Sequence, residues 1–191
     1  MLEVNAVCKN FGGLNAVSSA SLVVPKGKIV SLIGPNGAGK TTLFALISGF
    51  IKPDSGKIFF DGKDVTNERP HSICHKGLVR TFQVVQPFAN LSVQENIAVG
   101  AHTRLVKRQD ALAKAAEVAA QVGMGKMLEQ SAGSLTIAGR KCLELARALA
   151  TEPKLLLLDE VMAGLNATEI QEIVNIINGI MRITIRYTIL R

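Results

Sequence analysis

Apolar residues recur along the chain with two different periods. Leu2, Val4, Ala6 and Cys8 are apolar at every second position, so Leu2 to Lys9 is expected to form a half-buried strand, with a turn at Asn10-Phe11-Gly12-Gly13. Ala20 to Val24 reads as a second strand, and Pro25-Lys26-Gly27 turns into a third. The run Ile29-Val30-Ser31-Leu32-Ile33 is apolar on both faces, the pattern of a buried parallel strand. From Thr41 to Phe50 the period becomes helical, with Leu43, Leu46, Ile47 and Phe50 on one face. Lys57 to Phe60 and Lys63 to Val65, joined by Asp61-Gly62, predict a hairpin. Antiparallel β structure thus surrounds a strand–loop–helix unit, unlike a plain doubly wound fold.

The rest of the chain is mostly helical. Pro70 opens a short helix and Gly77 ends it. Leu78 to Gln83 reads as a strand ending in a polar amide. Ser92 with Glu95 forms a capping box, starting an Ala-rich helical block that runs to about Gln130. Arg104 to Asp110 interrupts it, and Gly123 stops the helix Ala111 to Val122. Ser131 to Ala150 ends in a strong helix, halted at Glu152-Pro153. In Lys154 to Glu160, four leucines closed by two acids predict a fully buried strand with carboxylates at its C-terminal tip. Thr168 to Met181 is amphipathic, and Ile183 to Leu190 alternates as a half-exposed strand does.

The candidate chemistry lies at the ends of the apolar runs. Gly34-Pro35-Asn36-Gly37-Ala38-Gly39-Lys40-Thr41 fits G-x-x-x-x-G-K-[ST], between a strand and a helix as that motif requires. Glycines let backbone N–H groups crowd around a polyphosphate, because no Cβ blocks the approach. The helix start adds orphan N–H groups and the positive end of its dipole. Lys40 supplies a full charge for the β- and γ-phosphates, the Thr41 hydroxyl is placed for Mg²⁺, and Thr42 can bond a neighbouring phosphate. Open α/β sheets bind ligands at the C-terminal tips of their strands, so Asp159 and Glu160 can face the same site as Lys40. Gln83, at another strand end, can reach a metal or an attacking water. Phe11 either packs its loop or stacks on an adenine. His71, Cys74 and His75 share a helix face but are too few for a metal site.

Size and charge narrow the classes. A chain of 191 residues makes one domain with room for a small subdomain. Apolar content of 48% and charged content of 19% exclude a disordered chain. No run approaches the ~18 apolar residues of a membrane span, and MLEVNAVCKN lacks the basic start and apolar core of a signal peptide. The three cysteines are far apart and read as reduced thiols, so the expected compartment is the cytosol. The net charge of +7 comes from scattered bases, which favours solubility and phosphate attraction; no nucleic acid partner is expected.

Four motifs in order carry a family resemblance: GPNGAGKTT, RTFQ at Arg80 to Gln83, the signature-like LTIAG at Leu135 to Gly139, and LLLLDE followed by AGLN. With KNFGGLNAV and LELARALATEPKLLLLDE, they make the chain resemble nucleotide-binding subunits of ATP-binding-cassette transporters. The resemblance is closest to the bacterial branched-chain amino acid import ATP-binding proteins, over about residues 1 to 182. It implies an α/β P-loop NTPase core with an N-terminal antiparallel β subdomain and an inserted α-helical subdomain. A single cassette over 1–191 would have its core and β subdomain at 1–92 and 147–191, and its helical subdomain at 93–146. The implied roles are adenine stacking for Phe11, phosphate binding for Gly34 to Thr42, Mg²⁺ binding for Thr41, Gln83 and Asp159, and general base for Glu160. Gln83 would also sense the γ-phosphate. Leu135, Thr136, Ile137, Ala138 and Gly139 would contact the ATP of a second subunit, in a homodimer or heterodimer sharing two ATP sites. Transmembrane permease subunits would dock near Gln83 to Asn96, placing the protein on the inner face of the cell membrane.

Two departures from the family pattern shape the expectation. Thr136 keeps the hydroxyl of the usual LSGGQ serine, but Ala138 adds a methyl where a glycine belongs, which predicts weaker contact with a partner's γ-phosphate. No His follows His102, whereas the family carries a γ-phosphate His near its end. The cassette's C-terminal part is therefore expected to be missing, through truncation, a frame shift or because the chain is a fragment, and without that His the expectation is ATP binding that survives while hydrolysis fails. The readings carried forward are a transport ATPase subunit, an ATP-binding remnant without turnover, and a soluble ATPase of the same superfamily. A small-molecule kinase or GTPase fits less well, since no N-K-x-D motif is present.

Overall fold

The computed structural model describes residues 1–82, 86–183 and 188–190. The backbone forms two compact units. The first holds strands β1 (Leu2–Phe11), β2 (Leu14–Val24) and β3 (Ile29–Val30), and helix α1 (Lys40–Ile47). It continues through β4 (Ser55–Phe60), β5 (Lys63–Asp64), α2 (Pro70–Lys76) and β6 (Leu78–Arg80), and later receives β7 (Leu155–Leu157) and β8 (Thr188–Leu190). The second unit consists mainly of helices α3 (Val93–Ala101), α4 (Arg108–Gln121), α5 (Ile137–Leu149) and α6 (Ala167–Ile183).

One sheet of the first unit is antiparallel, in the order β2-β1-β4-β5. The even-numbered alternation expected for β1 holds only as far as Val4. Leu2, Val4 and Val7 are fully buried, while Ala6 is exposed with φ 47°. The pairing with β2 shifts between Val4 and Val7, so a bulge carries the inward face from even to odd positions. Gly56 (φ 86°) lies against this bulge: a Cβ there would sit 2.5 Å from the Ala6 carbonyl oxygen, so only glycine fits. The Asp61-Gly62 turn has positive φ at both residues, 50° and 74°, as the β4–β5 hairpin requires.

The other sheet is parallel throughout, in the order β3-β8-β7-β6. β7 is the buried leucine strand the sequence predicts, with Leu155, Leu156 and Leu157 at most 1% exposed. β3 departs from expectation. Only Ile29 and Val30 pair as strand, Ile29 is 44% exposed and Ile33 90%. Among the described residues β3 ends the strand order, and from Ser31 the chain has already left the sheet for the glycine loop, so Ile33 falls outside the strand. Phe50 was expected on the buried face of α1, but the helix stops at Ile47 and Gly49 turns the chain at φ 77°, leaving Phe50 exposed. Of the alternating stretch 183–190, residues 184–187 lie outside the described residues. Thr188–Leu190 forms β8, between β3 and β7. The first unit's core joins both sheets to α1 and α2 through Leu2, Leu46, Ile58, Phe60, Ile73 and Leu155.

In the second unit, Ser92 and Glu95 form the capping box read from the sequence. The Glu95 amide donates to Ser92 Oγ, and the Ser92 amide to Glu95 Oε2, each at 3.1 Å. Fully buried Asn96 clips the preceding loop: its Oδ1 accepts from the Phe88 amide at 2.9 Å, and its Nδ2 donates to the carbonyls of Phe88 and Ser92. Gly100 lets α3 touch α5, since a Cβ there would lie 2.1 Å from the Arg147 carbonyl oxygen. Among the described residues, no helix is long and apolar enough to cross a membrane.

Glu144 of α5 is buried, and its Oε1 accepts the Phe82 amide. Its Oε2 has no hydrogen-bond partner among the described residues. Burial pushes its carboxyl above the ordinary glutamate range, against the opposing pulls of the Phe82 amide, Lys141 and Arg147. A carboxyl that holds its proton longer when folded loses stability as pH rises from its unfolded pKa through its folded one. Glu144→Gln keeps an oxygen for the Phe82 amide and cannot ionise. It is predicted to be more stable than wild type at neutral pH, with the advantage vanishing as pH falls into the ordinary glutamate range. Urea midpoints across that range check this; an advantage that does not change with pH contradicts it.

Candidate functional site

The loop between β3 and α1 is shaped for an anion. Gly37 and Gly39 lie in the left-handed region, at φ 83° and 81°. Gly39 is the N-cap of α1, and a Cβ on it would fall 2.2 Å from the Ala16 carbonyl oxygen of β2. Any side chain there would push the loop off the antiparallel sheet. The first intrahelical bond runs from the Leu43 amide to the Gly39 carbonyl at 2.8 Å, so the amides of Lys40, Thr41 and Thr42 precede the helical ladder. No side chain caps them and no acid sits in the first turn, so the positive end of the helix is not offset. Lys40 Nζ donates to the carbonyls of Gly34 and Pro35, each at 2.7 Å, and so lies over its own loop. Pro35, Asn36, Gly37, Ala38 and Thr41 are exposed, while Gly34, Gly39, Lys40 and Thr42 are half-buried.

A second group of charges stands along the same sheet edge. All four strands are parallel, so their C-terminal tips share one side. β3 leads into the glycine loop, and β7 leads through Leu158 to Asp159. Only β8 separates these strands, an offset of about 10 Å at ordinary strand spacing. Asp159 is buried, and its Oδ2 accepts from Arg80 Nη2 at 2.7 Å. Arg80 ends β6, which pairs with β7 so that Arg80 stands opposite Leu157. Loop, Arg80 and Asp159 all belong to the first unit.

The other sequence-predicted residues are placed differently. Glu160 opens the part of the chain belonging to the second unit, is exposed, and has φ 48°. A non-glycine residue held there costs about 1–3 kcal/mol, strain typical of functional sites. Gln83 lies outside the described residues. Phe11 ends β1 with its ring 44% exposed, and Lys9 Nζ stands 5.7 Å from the ring centroid. The stretch Leu135 to Gly139 belongs to the second unit and forms the start of α5. Thr136 is the N-cap: its Oγ1 accepts the Gly139 amide at 3.1 Å, leaving the hydroxyl proton free to be donated. Leu135 is buried, Ile137 is 64% exposed, and Ala138 is half-buried.

Three residues that sequence reasoning passed over also shape these parts. Arg80 pairs with Asp159. Arg140 donates to the carbonyls of Leu135 and Gly133, each at 3.1 Å, and holds the turn that enters α5. Glu144 holds the amide of Phe82, the residue before Gln83. Arg80 lay inside a quoted motif, and an arginine closing an apolar strand was the available signal; for the other two, only a charge within an apolar helix pattern pointed to a role.

Comparison with known proteins places the chain in a family. The family described as "ABC transporter" matches residues 17–163. The high-affinity branched-chain amino acid transport ATP-binding protein BraF of Pseudomonas aeruginosa is 37% identical over 188 residues, covering 91% of this chain and 74% of BraF. The probable branched-chain amino acid transport ATP-binding protein LivG of Archaeoglobus fulgidus is 38% identical over 178 residues, covering 87% of this chain and 69% of LivG. Among solved structures, a nucleotide-free ATP-binding cassette from an ABC transporter superposes with TM-score 0.85 at 30% identity, over 100% of this chain and 80% of that one. A dimeric ATP-binding cassette in a post-hydrolysis state, bound to ADP and Pi, shares the fold with TM-score 0.86 at 20% identity, over 100% and 87% of the two chains. A family match across most of the chain, on a loop and strand-tip arrangement of the expected form, shows that this protein belongs to the ABC transporter family and is closely related to its branched-chain amino acid import ATP-binding proteins.

Proposed function

We propose that the chain is the ATP-binding and ATP-hydrolysing subunit of a membrane transporter that imports branched-chain amino acids. The observation that carries the ATP reading is the shared sheet edge, where the glycine loop and α1 N-terminus stand with the buried Asp159 carboxylate. The transported substrate rests on similarity to the BraF and LivG proteins. The absence of a spanning helix among the described residues fits a subunit that docks peripherally on permease partners at the inner face of the membrane.

The residues divide the work. Loop and first-turn amides bind the phosphate oxygens, and Lys40 exchanges the carbonyls of Gly34 and Pro35 for phosphate. The donor set also fits Mg²⁺: one carboxylate, Asp159, and one hydroxyl, Thr41, are hard oxygens of the kind that ion takes when phosphates complete its shell. Among the described residues no cluster of three His, Cys, Asp or Glu side chains competes for that role. Bound there, Mg²⁺ supplies charge neutralisation on the phosphates. Glu160 accepts the proton of the attacking water, and Gln83 senses the γ-phosphate. Thr136, at the α5 N-cap, offers its hydroxyl proton to the γ-phosphate of ATP held by a second subunit, so the active species is a dimer sharing two ATP sites. Phe11 offers its exposed ring to the adenine.

Lys40→Ala is predicted to weaken ATP binding by about 10–100-fold, the loss of one charge-assisted contact. Calorimetric titration checks it, and equal affinity in variant and wild type refutes the phosphate-loop assignment. Glu160→Gln is predicted to bind ATP as wild type does and to lose turnover by about 10²–10⁴-fold, the usual worth of a general base. Phosphate release measured under saturating ATP decides this, and unchanged turnover assigns the base elsewhere.

A further inference from the structure

The proposed ATP site holds a buried cation against its carboxylate. Arg80 Nη2 and Asp159 Oδ2 are 2.7 Å apart, and their side chains are only 8% and 6% exposed. Neither residue is there by accident of a mobile surface. Arg80 is the last residue of β6 and Asp159 follows β7, and these two strands pair in parallel register. The contact therefore joins the tips of two fixed, adjacent strands. The contact sets the guanidinium's positive charge directly against the Asp159 carboxylate. With so little water between them, the two charges also act strongly on any third charge nearby.

We propose that Arg80 sets the metal selectivity of this site in time: it neutralises Asp159 so that a free divalent cation is not collected, and the cation is accepted only together with nucleotide. The inference rests on the reading of Asp159 as the carboxylate on the metal's side. A divalent ion beside Asp159 meets the guanidinium as a like charge. Without nucleotide, the ion gains one carboxylate that is already paired and is repelled by Arg80. With nucleotide, the phosphates bring several negative charges, which outweigh that repulsion. Arg80 is a positioning and charge-setting residue, acting on the metal through Asp159.

The test measures Mn²⁺ binding to the purified chain by electron paramagnetic resonance without nucleotide, and, as a control, ADP binding with and without Mn²⁺. The variants are Arg80→Gln, Arg80→Met and Arg80→Lys, with Asp159→Asn added to each background. Removing one partner of a buried pair is strongly destabilising, and Arg80→Met takes the guanidinium away from Asp159 altogether. Arg80→Gln still donates a hydrogen bond to it without charge, and decides the question if the methionine variant does not fold. Free Mn²⁺ is expected to bind Arg80→Gln on the order of tenfold more tightly than wild type, the effect of removing one nearby like charge. Arg80→Lys, which keeps the charge, should match wild type. Mn²⁺ should also raise the melting temperature of Arg80→Gln and leave that of wild type unchanged. Equal Mn²⁺ affinity in Arg80→Gln and wild type overturns the proposal, provided Asp159→Asn still abolishes the metal dependence of ADP binding. If Asp159→Asn leaves that dependence intact, the assignment of Asp159 to the metal has failed instead.

Discussion

The burial of Leu155 to Leu158 is the constraint from which the site follows. Each of these side chains is at most 2% exposed, and burying a leucine contributes about 1.5–3 kcal/mol. The strand they form must therefore run inside the parallel sheet, flanked by β6 and β8. The chain cannot leave the interior at once, so Asp159 is carried in as well and is only 4% exposed. An isolated carboxylate there would be costly. Strand β6 answers with Arg80, delivered in register beside it. Hydrophobic packing thus positions the carboxylate, and electrostatics makes the position tolerable.

Close backbone approach is the second organising device. Gly39 against Ala16 seats the phosphate loop on the antiparallel sheet, and Gly56 against Ala6 seats β4 on the bulge of β1. In each case a Cβ would come within 2.5 Å of a carbonyl oxygen, so the contact exists only because a glycine is there. The loop that binds phosphate in the proposed function is held from behind by the same kind of contact that shapes the sheet.

Within the second unit, α5 gathers several features on one rigid element. Its N-terminus carries the Thr136 cap, with Arg140 clamping the carbonyls that lead into it. Glu144, two turns along, holds the Phe82 amide at the entrance to the stretch containing Gln83. This hydrogen bond ties α5 directly to the Phe82 backbone.

What the sequence by itself determined are the features encoded by a few adjacent residues. Gly34 to Thr41 specifies the phosphate loop. Pro70 and Gly77 bound α2, Ser92 and Glu95 cap α3, and Asp61-Gly62 turns the hairpin, each through local φ preferences or a local hydrogen bond. The leucine run specifies its own burial. Other features depended on partners far along the chain. The bulge at Ala6 reverses an alternation that looks regular on paper, because β2 and β4 pair with β1 out of step there. Ile33 is apolar yet exposed because β3 stops at Val30 and the chain is already in the loop there, and Phe50 because Gly49 ends α1 before it. The Arg80–Asp159 pair joins residues 79 positions apart, and the Glu144–Phe82 bond joins residues 62 apart. Only the tertiary structure decided these, since sequence periodicity says which face a residue prefers and not which strand or helix will meet it.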